Sequence, residues 1–244
     1  MRQQTLALAV CAALAAMPGL AAEIGNPQSL LIQQGYYWQA KEHPDRAAEA
    51  WSKLLSLSPE QPDALYGLGL IDLQQKRPDG ARRYLARLQA ITPLPRLALQ
   101  LEQDIALSPD DKQQLLEKAR ELSDADERDK AVAVYRQLLD GHQPQGLIAR
   151  EYYNTLGFAT GGWPEARVGL ERLRRERPDD AILDLFLALH LARNPDSRPE
   201  GIRALARLSH NPDIGGNADE TWRFALQWLG PPSRDQVSLF QQYL

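Results

Sequence analysis

Apolar residues recur three and four positions apart along most of this chain, the spacing of a helix with one buried stripe. Alternation of apolar and polar residues never lasts more than a few positions, so strands are not expected. Pro and Gly interrupt the pattern at roughly helix-length intervals, which predicts helices joined by short turns. A first helix pair is expected from Leu30 to Pro59 and a second from Asp63 to Pro93. The pattern then lapses. Leu97, Leu99, Leu101 and Ile105 predict one extra helix, closed by Ser108-Pro109-Asp110. A third pair is expected from Asp111 to about Pro144, a fourth from Ala149 to Pro178 and a fifth from Asp180 to Pro212. A sixth unit begins near Ala218. After Pro231-Pro232-Ser233 comes a last helix, VSLFQQYL, whose stripe Val237, Phe240 and Leu244 expects a partner, so the array reads as cut part-way.

The pairs repeat. Gly35 and Gly69, Ala47 and Ala81, and Pro59 and Pro93 are each 34 residues apart, as are Pro178 and Pro212. That period marks the tetratricopeptide repeat, a helix-turn-helix unit that stacks into a right-handed superhelical solenoid. The expected fold is all-α, with about five to six helix pairs and one inserted helix. Gly35 in the first helix lets Trp51 of the second approach closely, and Pro59 stops the unit. Gly69, Ala81, Leu85 and Pro93 take the matching places, and Ala131, Tyr135, Ala166 and Pro178 do so further on.

The first residues follow another rule. Arg2 is followed by an apolar run from Thr5 to Ala16, broken at Pro18-Gly19, with small residues at Gly19, Ala21 and Ala22. This predicts a cleavable secretory signal peptide over 1–22. Cys11 lies inside the run, too early and behind the wrong residue, Val10, for a lipid attachment site. Repeats are expected over 23–93, the inserted helix over 94–110, and degenerate repeats over 111–244. An exported chain that loses its one cysteine with the leader has no disulfide and relies on packing. The net charge of −4 lacks the concentrated basic face that nucleic acid requires, so no nucleic-acid partner is expected. His43, His142, His190 and His210 lie far apart, in no metal-ligand spacing. Neither a phosphate loop nor a nucleophile elbow occurs, so no enzyme, metal or cofactor is expected.

The stretch LLIQQGYYWQAKEHPDRAAEAWSKLLSLSPEQPDALYGLGLIDLQQKRPDGARRYLARLQAITP, the irregular helix, DKAVAVYRQLLDG and EYYNTLGFATGGWPEARVGLERLRRERPDD occur in that order. In these the chain resembles the N-terminal repeat region of the cellulose synthase operon protein C family. The resemblance implies a periplasmic scaffold that contacts other proteins of the cellulose synthase complex and guides glucan to a C-terminal outer-membrane barrel, through which alone the protein meets the membrane. β-1,4-Glucan or peptidoglycan would be the polymer at hand. A general adaptor for another envelope assembly, or an accessory to a cell-wall enzyme, fits the repeats as well.

Glucan presents flat C–H faces that stack on aromatic rings, with polar ring tips reaching its hydroxyls. Rings at helical spacing also fill gaps between helices, and Trp38, Trp51 and Tyr135 fall where a repeat packs on itself. Tyr37, Tyr153 and Trp163 are less determined and are candidate glucan or partner contacts. In ERLRRERP, Arg174 and Arg175 are candidate contacts for an acidic partner, the alternative being a solvated helix face interleaved with Glu171 and Glu176.

Overall fold

Proline marks where the helices begin. The computed structural model describes residues 26–229 and 237–241; the leader with Cys11, the Pro231-Pro232-Ser233 stop and Leu244 lie outside the described residues. In the unit that ends at Ala106, α1 (Pro27–Ala40), α2 (Pro44–Leu57), α3 (Pro62–Gln74) and α4 (Pro78–Gln89) each open on proline, followed by α5 (Arg96–Ala106). A proline there removes an N–H that has no helical partner and fixes φ near the helical value. The unit that starts at Leu107 holds α6 (Asp110–Asp124), α7 (Arg128–Leu139), α8 (Gly146–Phe158), α9 (Trp163–Glu176), α10 (Ala181–Arg193), α11 (Arg198–Leu208), α12 (Gly215–Gln227) and α13 (Val237–Gln241). The described residues contain helices and turns and no strand. Helices pair as α1 with α2, α3 with α4, α6 with α7, α8 with α9 and α10 with α11.

Three of these pairs turn in the same way. His43 N donates to the Trp38 carbonyl at 2.9 Å and Glu42 N to the Gln39 carbonyl at 3.0 Å. Arg77 and Lys76 repeat this on Asp72 and Leu73, and Glu127 and Asp126 on Leu122 and Ser123. These are paired helix-ending bonds with a left-handed residue between them. That residue is Glu42 (φ 56°), Lys76 (φ 56°) and Asp126 (φ 61°), never glycine. A side chain in this region costs about 1–2 kcal/mol, which glycine avoids at an entropic cost of roughly 0.5–1 kcal/mol. Glu42→Gly is therefore expected to stabilise the protein by roughly 0.5 kcal/mol. A fall in thermal midpoint would contradict this.

The core of the first unit is built on one ring. Trp51 of α2 is fully buried. A Cβ added at Gly35 of α1 would lie 2.3 Å from its Cζ2, and one at Gly67 of α3 would lie 2.3 Å from its Nε1. The indole is thus held between two bare backbones, with Ala47, Leu54 and Ala64 around it. Gly69, the register mate of Gly35, does a different job: a Cβ there would lie 2.7 Å from Leu101 of α5. Ala81 is fully buried, Leu85 is half-buried beside Leu88, and Pro59 and Pro93 are exposed in the turns. In the second unit Ala131 is fully buried, Tyr135 and Ala166 lie in the core with Leu138, Leu156 and Leu170, and Pro178 is exposed just beyond α9.

Polar ties join the first helices of successive pairs, and join α3 to the inserted helix α5. The Tyr36 hydroxyl donates to Asp63 at 2.6 Å, and the Tyr66 hydroxyl donates to Asp104 at 2.9 Å while accepting from Gln100 at 2.5 Å. In the second unit Arg120 grips both oxygens of Glu151 at 3.0 Å, Ser123 and Thr155 hydroxyls meet at 2.9 Å, and Asn154 meets His190 at 3.1 Å. Burial raises both tyrosine hydroxyls. It also lifts the Asp104 carboxyl to about 6, against the lowering effect of the Tyr66 hydrogen bond.

Candidate functional site

In the first unit the exposed aromatic surface lies on α1. Tyr37 is 54% exposed. Its ring meets the edge of Trp38 at 4.9 Å, and the Lys41 ammonium lies 5.9 Å from its centre. Trp38 is half-buried, with the Arg46 guanidinium 4.5 Å above it and His43 at its edge. Tyr36, one residue earlier, packs edge-on to the buried Trp51 while keeping part of its ring exposed, so the aromatic surface of α1 spans both tyrosines.

Tyr153 of α8 is only 7% exposed. Its ring lies on Gly169 of α9, where a Cβ would come within 2.3 Å, and Arg172 lies 6.0 Å above it. It nevertheless lines an open cavity of about 420 Å³ with Tyr152, Arg136, Glu165 and the loop residues His142 and Gln143. There the Tyr152 hydroxyl donates to Glu165 Oε1 at 2.9 Å, and Arg136 donates to Glu165 Oε2 at 2.8 Å and to the Tyr152 oxygen at 3.3 Å. Burial, then the Glu165 hydrogen bond, pushes the Tyr152 hydroxyl up, so it stays protonated and can donate. A guanidinium, a carboxylate and a phenol therefore converge beside an aromatic wall. Such a set offers donors and acceptors to a ligand rich in hydroxyls.

Trp163 begins α9 and does not contribute to that cavity. Its indole stacks on His190 at 5.7 Å with a 29° interplanar angle, so one face is covered. His190 is 2% exposed, and burial, helped by Arg193, pulls its imidazole down to about 4. The neutral ring meets Phe158 edge-on at 4.6 Å and shares a hydrogen with the Asn154 carbonyl through Nε2. Phe158 in turn carries Arg193 at 4.1 Å and Arg128 at 5.2 Å.

The arginine run divides in the same way. Arg172 pairs with Glu176 and donates to the Pro144 carbonyl, and Arg174 pairs with Asp184 of α10 at 2.6 Å. Arg177 reaches the Gly146 carbonyl at 3.3 Å. Arg175 makes no ion pair or hydrogen bond within the described residues. It lines a second cavity, of about 620 Å³, between α9, α10 and α11.

Arg136 and Glu165 did not stand out in the sequence. They are 29 residues apart and carry no motif, although both lie on the second helices of successive pairs. Among the described residues no three His, Cys, Asp or Glu side chains are grouped to hold a metal, and no helix is long and apolar enough to cross a membrane.

The tetratricopeptide repeat family matches residues 33–94. Over 245 aligned residues, covering the whole chain, it is 66% identical to cellulose synthase operon protein C of Pseudomonas fluorescens (strain SBW25). The chain belongs to the cellulose synthase operon protein C family. A second member of that family, from Xanthomonas axonopodis pv. citri (strain 306), is 37% identical over 217 residues, or 88% of the chain. The chain spans 19% of the length of the Pseudomonas protein and 14% of the Xanthomonas one. A flexible tandem repeat domain from bacterial cellulose synthase, known from a crystal structure, superposes with a TM-score of 0.65. That match covers 89% of this chain and 88% of the other at 24% identity, and it establishes the tetratricopeptide fold.

Proposed function

We propose that this segment is a periplasmic repeat scaffold of bacterial cellulose biosynthesis and export, which contacts other proteins of the synthase complex and guides glucan toward the outer membrane. The observation that carries this reading is the 66% identity across the whole chain to a cellulose synthase operon protein C. Stacked helix pairs present extended surfaces suited to holding other chains. The leader pattern over 1–22 supports export to the periplasm.

Two features support contact with the polymer. Tyr37 offers an exposed ring on α1, and the cavity at Tyr153 offers the Arg136, Glu165 and Tyr152 groups beside a ring face. Trp163 is partly buried against the core with His190 on one face, and its exposed edge is what it offers. Soluble cello-oligosaccharide titrated calorimetrically into the full chain should bind at least about tenfold more weakly once Tyr37, Tyr153 and Trp163 are all alanine, given roughly 0.5–1.5 kcal/mol for each lost stacking contact. Unaltered binding by a variant that keeps its helical circular dichroism would sink the stacking idea. For the protein side, charge reversal of Arg174 and Arg175 should reduce capture of synthase-complex proteins.

A further inference from the structure

The cavity of about 620 Å³ in the second unit has walls from α9 and α11 and a floor from α10. Its floor is aliphatic: Leu187, Ala188 and Leu191 are buried beneath it, with Ala204 and Leu208 half-buried at the α11 wall. Its charges are not spread evenly. Arg175 lies in the last turn of α9 and Arg207 in the last turn of α11. A cation in a last turn suits the negative end of the helix dipole. That explains the residue type but leaves both guanidinium forks with no ion pair or hydrogen bond inside the described chain. The neighbouring Arg174 and Asp184 neutralise each other. Away from those last turns Glu200 stands in the first turn of α11 without a hydrogen bond or ion pair, and Glu171 is held by Arg167 at 2.8 Å. The groove thus runs from two open arginines, over an aliphatic floor, to the Glu171 and Glu200 carboxylates, where Arg167 is bonded to the first and acts on the second by charge alone.

We infer that this groove docks an acidic amphipathic helix of a partner protein: aliphatic side chains three or four residues apart on the floor, and a pair of carboxylates at one end clasped by Arg175 and Arg207. The shape suits helix-in-groove recognition, in which spaced apolar anchors give affinity and flanking charges set direction. The absence of aromatic rings distinguishes it from the Tyr153 cavity and selects aliphatic anchors over sugar faces. Guanidinium forks bind carboxylates in pairs of hydrogen bonds, so the arginine end fixes which way the helix lies. Glu200 at the other end disfavours the reversed orientation by like-charge repulsion.

The inference rests on the scaffold reading only in that the occupant is a protein segment, and its test does not require the synthase proteins. A phage-displayed library of amphipathic helical 14-mers, randomised at the charged positions, is selected on the full chain. Enrichment of Asp or Glu pairs at one end of a Leu or Ile stripe is expected, and a selected peptide should bind at least tenfold more weakly to the Arg175→Glu, Arg207→Glu double variant. Both residues are exposed, so the fold should persist. Replacing the peptide's acidic pair by lysine should restore binding to that variant, which a misfolded protein cannot do. Selection of peptides with no acidic bias, no selection at all, or equal binding to the double variant would each overturn the assignment. Loss of cello-oligosaccharide binding elsewhere on the chain would leave it standing.

Discussion

Trp51→Ala should unfold the first unit at temperatures the native protein tolerates. The ring is fully buried, and truncation of such a side chain costs about 3–5 kcal/mol through lost transfer energy and the cavity left behind. Gly35→Ala and Gly67→Ala should each cost about 1–3 kcal/mol, because the new methyl group overlaps the indole and the two helices must part. The decisive measurement is a double-mutant cycle. In the Trp51→Ala background the added methyl enters empty space, and alanine suits a helix interior better than glycine by about 1 kcal/mol. Gly35→Ala should therefore change sign, from destabilising to stabilising. Chemical denaturation of the four proteins reads this directly. If Gly35→Ala costs the same with and without Trp51, the glycine is needed for some other reason. The Trp51 indole N–H has no acceptor among the described residues, so the residue contributes through shape and area rather than through a hydrogen bond.

Acidification should weaken the second unit and strengthen part of the first. His190 titrates near 4 in the fold because burial disfavours its charged form, against about 6.5 in an unfolded chain. The unfolded state then binds the proton more readily, so this contribution to stability is complete above about pH 6.5 and is lost as pH falls toward 4. By pH 5 the loss is about 2 kcal/mol. Asp104 has the opposite sign: its folded value, about 6, lies above the usual carboxylate range. Its contribution is complete below the unfolded value and is lost as pH rises through 6. Hydrogen exchange resolved by peptide should show α8 and α10 opening more readily at pH 5 than at pH 7.5, while α3 and α5 become better protected. His190→Phe should remove the first change and leave the second. Equal protection at both pH values in α8 and α10, after correction for the intrinsic exchange rate, would mean that His190 is not held neutral by its surroundings.

The repeat itself was legible because it is local. Gly35 and Trp51 lie 16 residues apart within one helix pair, and the 34-residue echo places their counterparts. The second clamp on the indole, Gly67, lies two residues before the register mate Gly69 and was not singled out. It depends on how α3 approaches α2, which is a contact between repeats. The inserted helix takes Gly69 for itself through Leu101. Composition marked Tyr153, Trp163, Arg174 and Arg175, but their neighbours decide what each can do. Gly169 lies against one ring and His190 against another, and Asp184 engages one arginine while the next stays open. None of these partners falls within a recognisable spacing, because helix pairs of unequal turn length shift the register between units. The Gly161-Gly162 turn and the long approach to α5 are two such shifts.

The ties between first helices bear on how such a gene can change. A coding sequence with an internal echo is prone to slippage that removes or duplicates one unit. Here Tyr36 is matched to Asp63 and Tyr66 to Asp104, whereas Arg120 requires Glu151 and Asn154 requires His190. A unit lost or gained in the second half would set a guanidinium or an imidazole against a side chain that cannot answer it, leaving a half-buried polar group unsatisfied at a cost of about 1–3 kcal/mol. Unlike junctions thus act as keys that fix the order of otherwise similar modules, and they allow the echo to persist in the sequence without the array being free to change its length.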